Sequence, residues 1–363
     1  MSEGALFDCS SCNVEGAIQA QAQLHHAYLL GLQLRVSHQV SDDDVERWMF
    51  RLFRKQHEEK FLESFEKLGL TGLPDAVACA KYHVLSNSIG GVNVEFLPES
   101  DQKAWVRFRY PRWMYFGPAL CGVPVGVSRG FLKGWYAHNG VSLGNPRLGY
   151  VCVSEDMTEE FGLCGYFKEY DHELSEDERL QFAKGEIPPA YCASQQPEPP
   201  SSHWNTERLR KANRNYAVDF VRNALVALRT TLPEEQALAL ARSAARLTGL
   251  QYFQETRSLT GCDDGDLASA AHYLQVMSAG LGDESELLDS PSGEQRLRIR
   301  SPRIVRVCEP LERVFVLNAW QCLWEGALAS FRDMKTLSVE EQGDDLILTL
   351  TELQRKMTIR VMC

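Results

Sequence analysis

The chain has no membrane-length apolar run: no stretch of its 363 residues approaches the roughly 18 uninterrupted apolar residues that cross a bilayer. It also lacks a surplus of positive charge. With 38 Lys and Arg against 49 Asp and Glu, the formal net charge is -11 and the pI is near 5.4. That balance opposes a nucleic-acid partner, because affinity for phosphates is built on clustered cations that release counterions. Neither a Walker loop, nor GxGxxG after a strand, nor HExxH, nor GxSxG occurs, which disfavours nucleotide cofactors and the familiar hydrolase machineries. No cofactor is expected. The opening residues, MSEGALFDCSSC, carry neither a basic n-region nor an apolar h-region, so the expectation is a soluble, cytoplasmic protein without membrane association.

What is present is an ordinary globular composition, 44% hydrophobic and 24% charged, in a length suited to two domains. Eleven cysteines, an odd number without a secretion signal, read as reduced thiols. Cys9 and Cys12 form a CxxC pair. They lack the βαβ context of a redox motif and the second ligand pair of a zinc site, so they read as a thiol-bearing N-terminus.

Between Ile187 and Ser202 the sequence IPPAYCASQQPEPPSS holds five prolines, which forbid regular structure and favour an extended linker. The expected division is a first unit over 1–186, a linker over 187–205 and a second unit over 206–363. An ungapped shift of 191 residues aligns Trp105–Trp113 with Arg296–Ile304, superposing Arg107 on Arg298, Arg109 on Arg300, Pro111 on Pro302 and Arg112 on Arg303. The same shift pairs Tyr82 with Tyr273, Gly91 with Gly282 and Glu95 with Glu286. Alternating Arg and apolar residues suit any half-buried strand, but the shared proline and the upstream matches favour duplication.

Each half reads alike. Amphipathic helices are expected over Gln19–Val36 and Val45–Leu68, and again over Arg208–Thr230 and Glu234–Leu259, with Asp42 and Asp43 capping the second and Pro233 in the first turn of the last. A third helix, Pro74–Ser88 or Asp266–Ala279, precedes a hairpin, Val92–Leu97 with Ala104–Tyr110, or Glu286–Leu288 with Gln295–Arg300. A helix over Val125–His138 or Val314–Phe331 then leads to a closing hairpin, Leu148–Ser154 with Leu163–Tyr170, or Thr336–Glu341 with Asp345–Leu353. The predicted class is α+β, a tandem duplication of antiparallel strands covered by helices, with a crevice between layers for a small ligand.

Polar chemistry gathers in the first half. Alternation puts Tyr150 and Cys152 on one face of their strand, and Cys164, Tyr166, Tyr170 and His172 on one face of the next, with Glu169 and Asp171 opposite. Donors and acceptors of several strengths in one small volume would suit acid-base or nucleophilic work. Trp113, Tyr115, Trp135 and Tyr136 are candidates for an aromatic wall. Arg107, Arg109 and Arg112 are suited to clamp a carboxylate, although their recurrence in the second half favours a structural role. The plainer readings are that Cys152 and Cys164 are inert buried thiols, that the tryptophans are core, that His138 caps a helix C-terminus, and that the acidity before Ser175–Glu178 starts a helix. His25 and His26 are adjacent, which is not metal spacing on a helix, and no metal is expected.

The run GFLKGWYAHNG (130–140), then Asn145-Pro-Arg-Leu148, then Cys164-Gly-Tyr-Phe167 resembles the closing part of the L-2-amino-thiazoline-4-carboxylic acid hydrolase-like family. Residues 227–237 and 241–246 resemble that family's N-terminal helices. More distantly, each half is similar to the vinyl-reductase-like small-molecule-binding domains. The first resemblance implies hydrolysis at the carbon-nitrogen double bond of a small cyclic amidine. His138 or Glu169 would be the base, Tyr166 or Cys164 the proton donor, and Arg107 or Arg109 the carboxylate holder, with Cys152, Asp171, Trp113, Trp135, Tyr136 and Asn145 completing the site. The second half lacks NPRL and the matching cysteine, so a second active site is not expected there. The alternatives are a cofactor-free lyase on a small aromatic substrate and a non-catalytic small-molecule-binding or sensing protein. A small molecule is the expected partner, and a homodimer is compatible with the sequence.

Overall fold

The computed structural model describes residues 13–110, 117–156, 162–198, 205–290, 293–333 and 335–353. The chain forms two compact units, one from residues 25–240 and one from residues 1–24 together with 241–363. Residues 206–240 therefore belong to the unit that holds the first sheet, where α6 packs on α2, rather than to the unit formed by the chain that follows them. Position relative to the proline-rich stretch does not decide which apolar faces meet.

The first unit takes in the later part of α1 (Val14–Ser37), α2 (Asp42–Lys67), α3 (Asp75–Ile89), β1 (Val94–Ser100), β2 (Lys103–Phe108), α4 (Val125–Gly134), α5 (Asn139–Leu143), β3 (Leu148–Ser154), β4 (Cys164–Glu169), β5 (Leu180–Phe182), α6 (Thr206–Thr231) and the start of α7 (Glu234–Thr260). Its sheet has the order β1-β2-β4-β3-β5, antiparallel except where β5 runs parallel to β3. The second unit holds the start of α1, the rest of α7, α8 (Leu267–Leu281), β6 (Glu284–Leu288), β7 (Glu294–Arg300), α9 (Pro310–Leu328), β8 (Lys335–Gln342) and β9 (Asp345–Glu352). Its sheet is antiparallel with the order β6-β7-β9-β8. The α+β class is as expected. The order helix, helix, helix, hairpin, helix, hairpin occurs twice, and the four antiparallel strands of each sheet follow one order.

Helix α2 buries Val45, Trp48, Met49, Leu52, Phe53, Gln56, Phe61 and Phe65, the three-and-four spacing of a core-facing stripe. Its N-cap is Ser41, whose hydroxyl accepts from the Asp44 amide, and not Asp42 or Asp43. Those aspartates lie in the first turn, where the helix dipole favours them. The Trp48 indole donates to the Ala224 carbonyl at 2.8 Å, fastening α2 to α6.

The helix expected over Val125–His138 is broken. Helix α4 ends at Gly134, a 3-10 turn covers Tyr136–His138, and α5 follows. Gly126, Gly130 and Gly134 form a stripe along α4 that lies on the backbone of α2: a Cβ at Gly130 would meet the Glu46 carbonyl oxygen at 2.5 Å, and one at Gly134 the Phe50 carbonyl oxygen at 2.6 Å. Arg54 of α2 donates to the Gly134 carbonyl at 3.1 Å and supplies the C-terminal partner that α4 would otherwise lack.

Every residue of β3 is buried. The outer edge of β1 is met by a side chain: Phe96 N donates to Gln196 Oε1 at 2.9 Å, and Gln196 Nε2 donates to Phe96 O at 2.8 Å. A residue of the proline-rich stretch thus occupies edge groups that would otherwise invite another strand.

Candidate ligand cleft

The nominated side chains do not meet in one place. On β3 and β4 the register pairs Tyr150 with Phe167 and Cys152 with Gly165, so these share the sheet face on which Phe167 stacks with His83 and Tyr136. Cys164 and Tyr166 lie on the other face, in an apolar cluster with Leu97, Trp105, Val151 and Val153. Burial pushes the thiols of Cys152 and Cys164 up to about 12, so neither is a ready nucleophile. The Tyr166 hydroxyl donates to Glu186 at 2.9 Å, and burial raises its pKa above the ordinary value.

The other candidates have structural partners. Glu169 pairs with Arg147, and Asp171 is exposed beside His172, with its carboxyl held below the usual range by the hydrogen bond from that ring. Asn145 donates to Asp75 at 2.8 Å, tying the NPRL loop to the first turn of α3. Arg107 and Arg109 both turn to Glu95, at 2.6 and 3.6 Å. Tyr136 is 1% exposed and stacks on His83 with ring centroids 3.8 Å apart, and Trp135 lies between Phe53, His57 and His83. Trp113, Tyr115, Arg112 and the Cys9–Cys12 pair lie outside the described residues.

His138 differs from these. It opens onto a cleft of about 600 Å³ whose walls are one face of α2 (Glu46, Phe50, Arg54), the end of α4 and its turn (Lys133, His138), and residues 176–182, including Arg179 and Phe182. The spacing of residues 46, 50 and 54 puts them in line on α2. Half-burial, then the charges of Arg54 and Arg179, lower the pKa of His138 to about 4, so the ring is neutral at pH 7. Behind it, His57 approaches edge-on with centroids 5.2 Å apart, and its Nε2 lies 2.8 Å from Ser142 Oγ. Burial, with His138 and Arg54 adding to it, takes His57 down to about 3.

The charges around the cleft are unequally engaged. Lys133 pairs with Glu46 at 2.9 Å, and Arg54 is tied to Gly134. Arg179 forms no ion pair among the described residues. Burial lowers the pKa of the Arg54 guanidinium, with Glu58 and Glu176 opposing and Arg179 adding to the effect. The carboxylates of Asp43, Glu46, Glu176 and Asp177 also line the cleft, and Arg47 pairs with Asp44, so room for an anionic group on an apolar body is confined to the side where Arg54, Arg179, the neutral imidazole and the rings of Phe50 and Phe182 lie. Arg54, Arg179, Phe50 and Phe182 were not nominated from sequence. The α2 face could have been read from its spacing, whereas Arg179 and Phe182 come from a segment whose position only folding sets. Among the described residues, no group of three or more His, Cys, Asp or Glu side chains is arranged to hold a metal ion, and no helix is long and apolar enough to cross a membrane.

No family model and no curated protein matches the chain. Among solved structures, it is similar to an H-NOX protein from S. oneidensis in the Fe(II)NO ligation state, at 16% identity and a TM-score of 0.25, over 44% of this chain and 83% of that one.

Proposed function

We propose that residues 25–240 form a binding module for a small organic acid, and that the acid's carboxylate sits between Arg54 and Arg179 with its apolar part against Phe50 and Phe182. The observation that carries this reading is that Arg179, which forms no ion pair among the described residues, lines the same cleft as the neutral His138. A neutral imidazole offers either a donor or an acceptor to a bound anion, and a bound carboxylate would in turn raise its pKa. Binding is favoured over catalysis because a base of pKa about 4 has little driving force to take a proton at pH 7, and because the cysteine and tyrosine candidates lie elsewhere.

A second reading is the hydrolysis of an amino-thiazoline carboxylate or a related cyclic amidine. The observation that favours it is that His138, one of the two candidate bases drawn from the polar clustering of the first half, lines the cleft. The repeated element order and strand order are the basis for reading the whole chain as a duplication.

Calorimetric titration of the full chain with benzoate, and with 2-amino-thiazoline-4-carboxylate, tests both readings. Binding that Arg179→Ala weakens at least tenfold supports the acid-binding module. Carboxylates that bind equally well to Arg179→Ala would remove it. Ring opening that His138→Ala abolishes would select the enzyme.

A further inference from the structure

A second cleft, of about 380 Å³, lies among α2, α3 and α6, with Gln56, Ser64, Tyr82, Trp135 and Tyr216 in its lining. Two of these are deeply buried, Gln56 at 2% and Trp135 at 4% exposure. Trp135 Nε1 and Gln56 Nε2 are both without an acceptor among the described residues. A buried donor left unmade costs far more than a formed bond contributes, so two such donors on one cleft are a sign of an acceptor that arrives from outside. The Tyr82 hydroxyl, by contrast, is already engaged with Ser86 and Ser64.

The charges at this cleft are committed. Lys60 pairs with Asp219 at 3.0 Å, Lys67 pairs with Glu63, and Asp219 also accepts from Arg222 at 2.7 Å. Arg208 likewise has a partner. The cleft is therefore lined by two buried N–H donors and the aromatic side chains of Trp135 and Tyr216, without a spare cation among the described residues. A carboxylate entering it would be desolvated without compensation, whereas a neutral carbonyl would satisfy the donors at little cost.

We infer that this cleft is a second ligand site, which takes a flat neutral compound presenting an amide or lactam carbonyl to Trp135 Nε1 and Gln56 Nε2. It is separate from the His138 cleft and does not depend on the function proposed for it.

The test uses the full chain carrying ¹⁵N-labelled tryptophan, with benzamide as probe and benzoate as its charged counterpart. The Trp135 indole N–H resonance is assigned by its loss in Trp135→Phe. Benzamide at millimolar concentration is expected to move that resonance downfield, and Gln56→Leu to weaken the response about tenfold, the size of one neutral hydrogen bond. Benzoate is expected to leave the resonance in place, and Arg179→Ala to leave the benzamide response unchanged. A Trp135 resonance that benzamide does not move in the wild-type chain overturns the inference, whatever the variants do. So does a shift that persists at full strength in a folded Gln56→Leu protein, or one that benzoate produces equally.

Discussion

Arg107 closes on Glu95 across the β1–β2 hairpin at 2.6 Å, and Arg298 closes on Glu286 across β6–β7 at 2.9 Å, each pair directly opposite in its ladder. The two pairs are separated by the 191 residues that align the halves. The carboxylate that Arg107 clamps is thus the protein's own. Glu95→Gln should lower stability by about 1 kcal/mol, because the pair is only partly buried and solvent screens it, and should leave benzoate binding unchanged. Urea unfolding and calorimetry on the same variant read both. A loss of binding without a loss of stability would return Arg107 to the ligand site.

Alkylation should separate the cysteines by burial. With pKa values near 12, Cys152 and Cys164 hold about one thiolate in ten thousand at pH 8 and are shielded by the sheet. Cys121 is exposed, and the Cys192 thiol is pulled below its ordinary value by hydrogen bonds with Ser194. Iodoacetamide followed by peptide mass spectrometry should mark Cys121 and Cys192 in the native protein, with Cys152 and Cys164 marked only after unfolding. Equal rates at all four would show the sheet to be open.

Acid should destabilise the unit built on the five-stranded sheet well above the carboxylate range. His26 and His57 are held near 3 and His138 near 4, chiefly by burial, and buried His83 is lowered as well. In the unfolded chain each protonates at its ordinary value of about 6.5, so between there and the folded values the unfolded state binds more protons and stability falls as pH falls. Each fully buried histidine contributes a slope of about 1.4 kcal/mol per pH unit in that window. Asp156, raised to about 7 chiefly by burial, opposes them with one proton, because it ionises on unfolding below that pH. The net effect is a urea midpoint that drops from pH 7 to pH 5, and drops less in His57→Gln. A flat profile over that range would mean the histidines are solvated.

Gly130→Ala should be more damaging than helix propensity suggests, since alanine is the better helix former. Its methyl would fall 2.5 Å from the Glu46 carbonyl and 2.6 Å from Met49 Cβ, so α2 and α4 must part. Overpacking of this kind costs about 1–3 kcal/mol. Because Glu46 and Lys133 also wall the His138 cleft, benzoate affinity should fall with stability. Thermal unfolding and calorimetry check the two together. A Gly130→Ala variant as stable as the parent would show that the helices are not in backbone contact.

Much of the architecture is legible in the residues. Period-3.6 stripes such as Val45–Phe65 and alternating runs such as Leu148–Ser154 record which faces avoid water, and the 191-residue shift aligned Glu95 with Glu286 and Arg107 with Arg298 in two expected hairpins, although only the structure pairs them. The sequence alone therefore determined most of the helices and strands, their order and the α+β class, though not the break after α4 or the short strand β5, because local periodicity and turn chemistry are written residue by residue. It nominated His138 but spread the rest of the site over residues that turn to other partners. One step of strand register put Cys152 and Cys164 on opposite faces of the sheet, α4 ended at Gly134, and α6 packed on α2 within the first unit. Arg54, Arg179 and Phe182 meet His138, and Gln56 meets Trp135 and Tyr216, only after segments far apart in the chain have packed. Those contacts depend on which surfaces exclude water together, and no spacing within one segment encodes that.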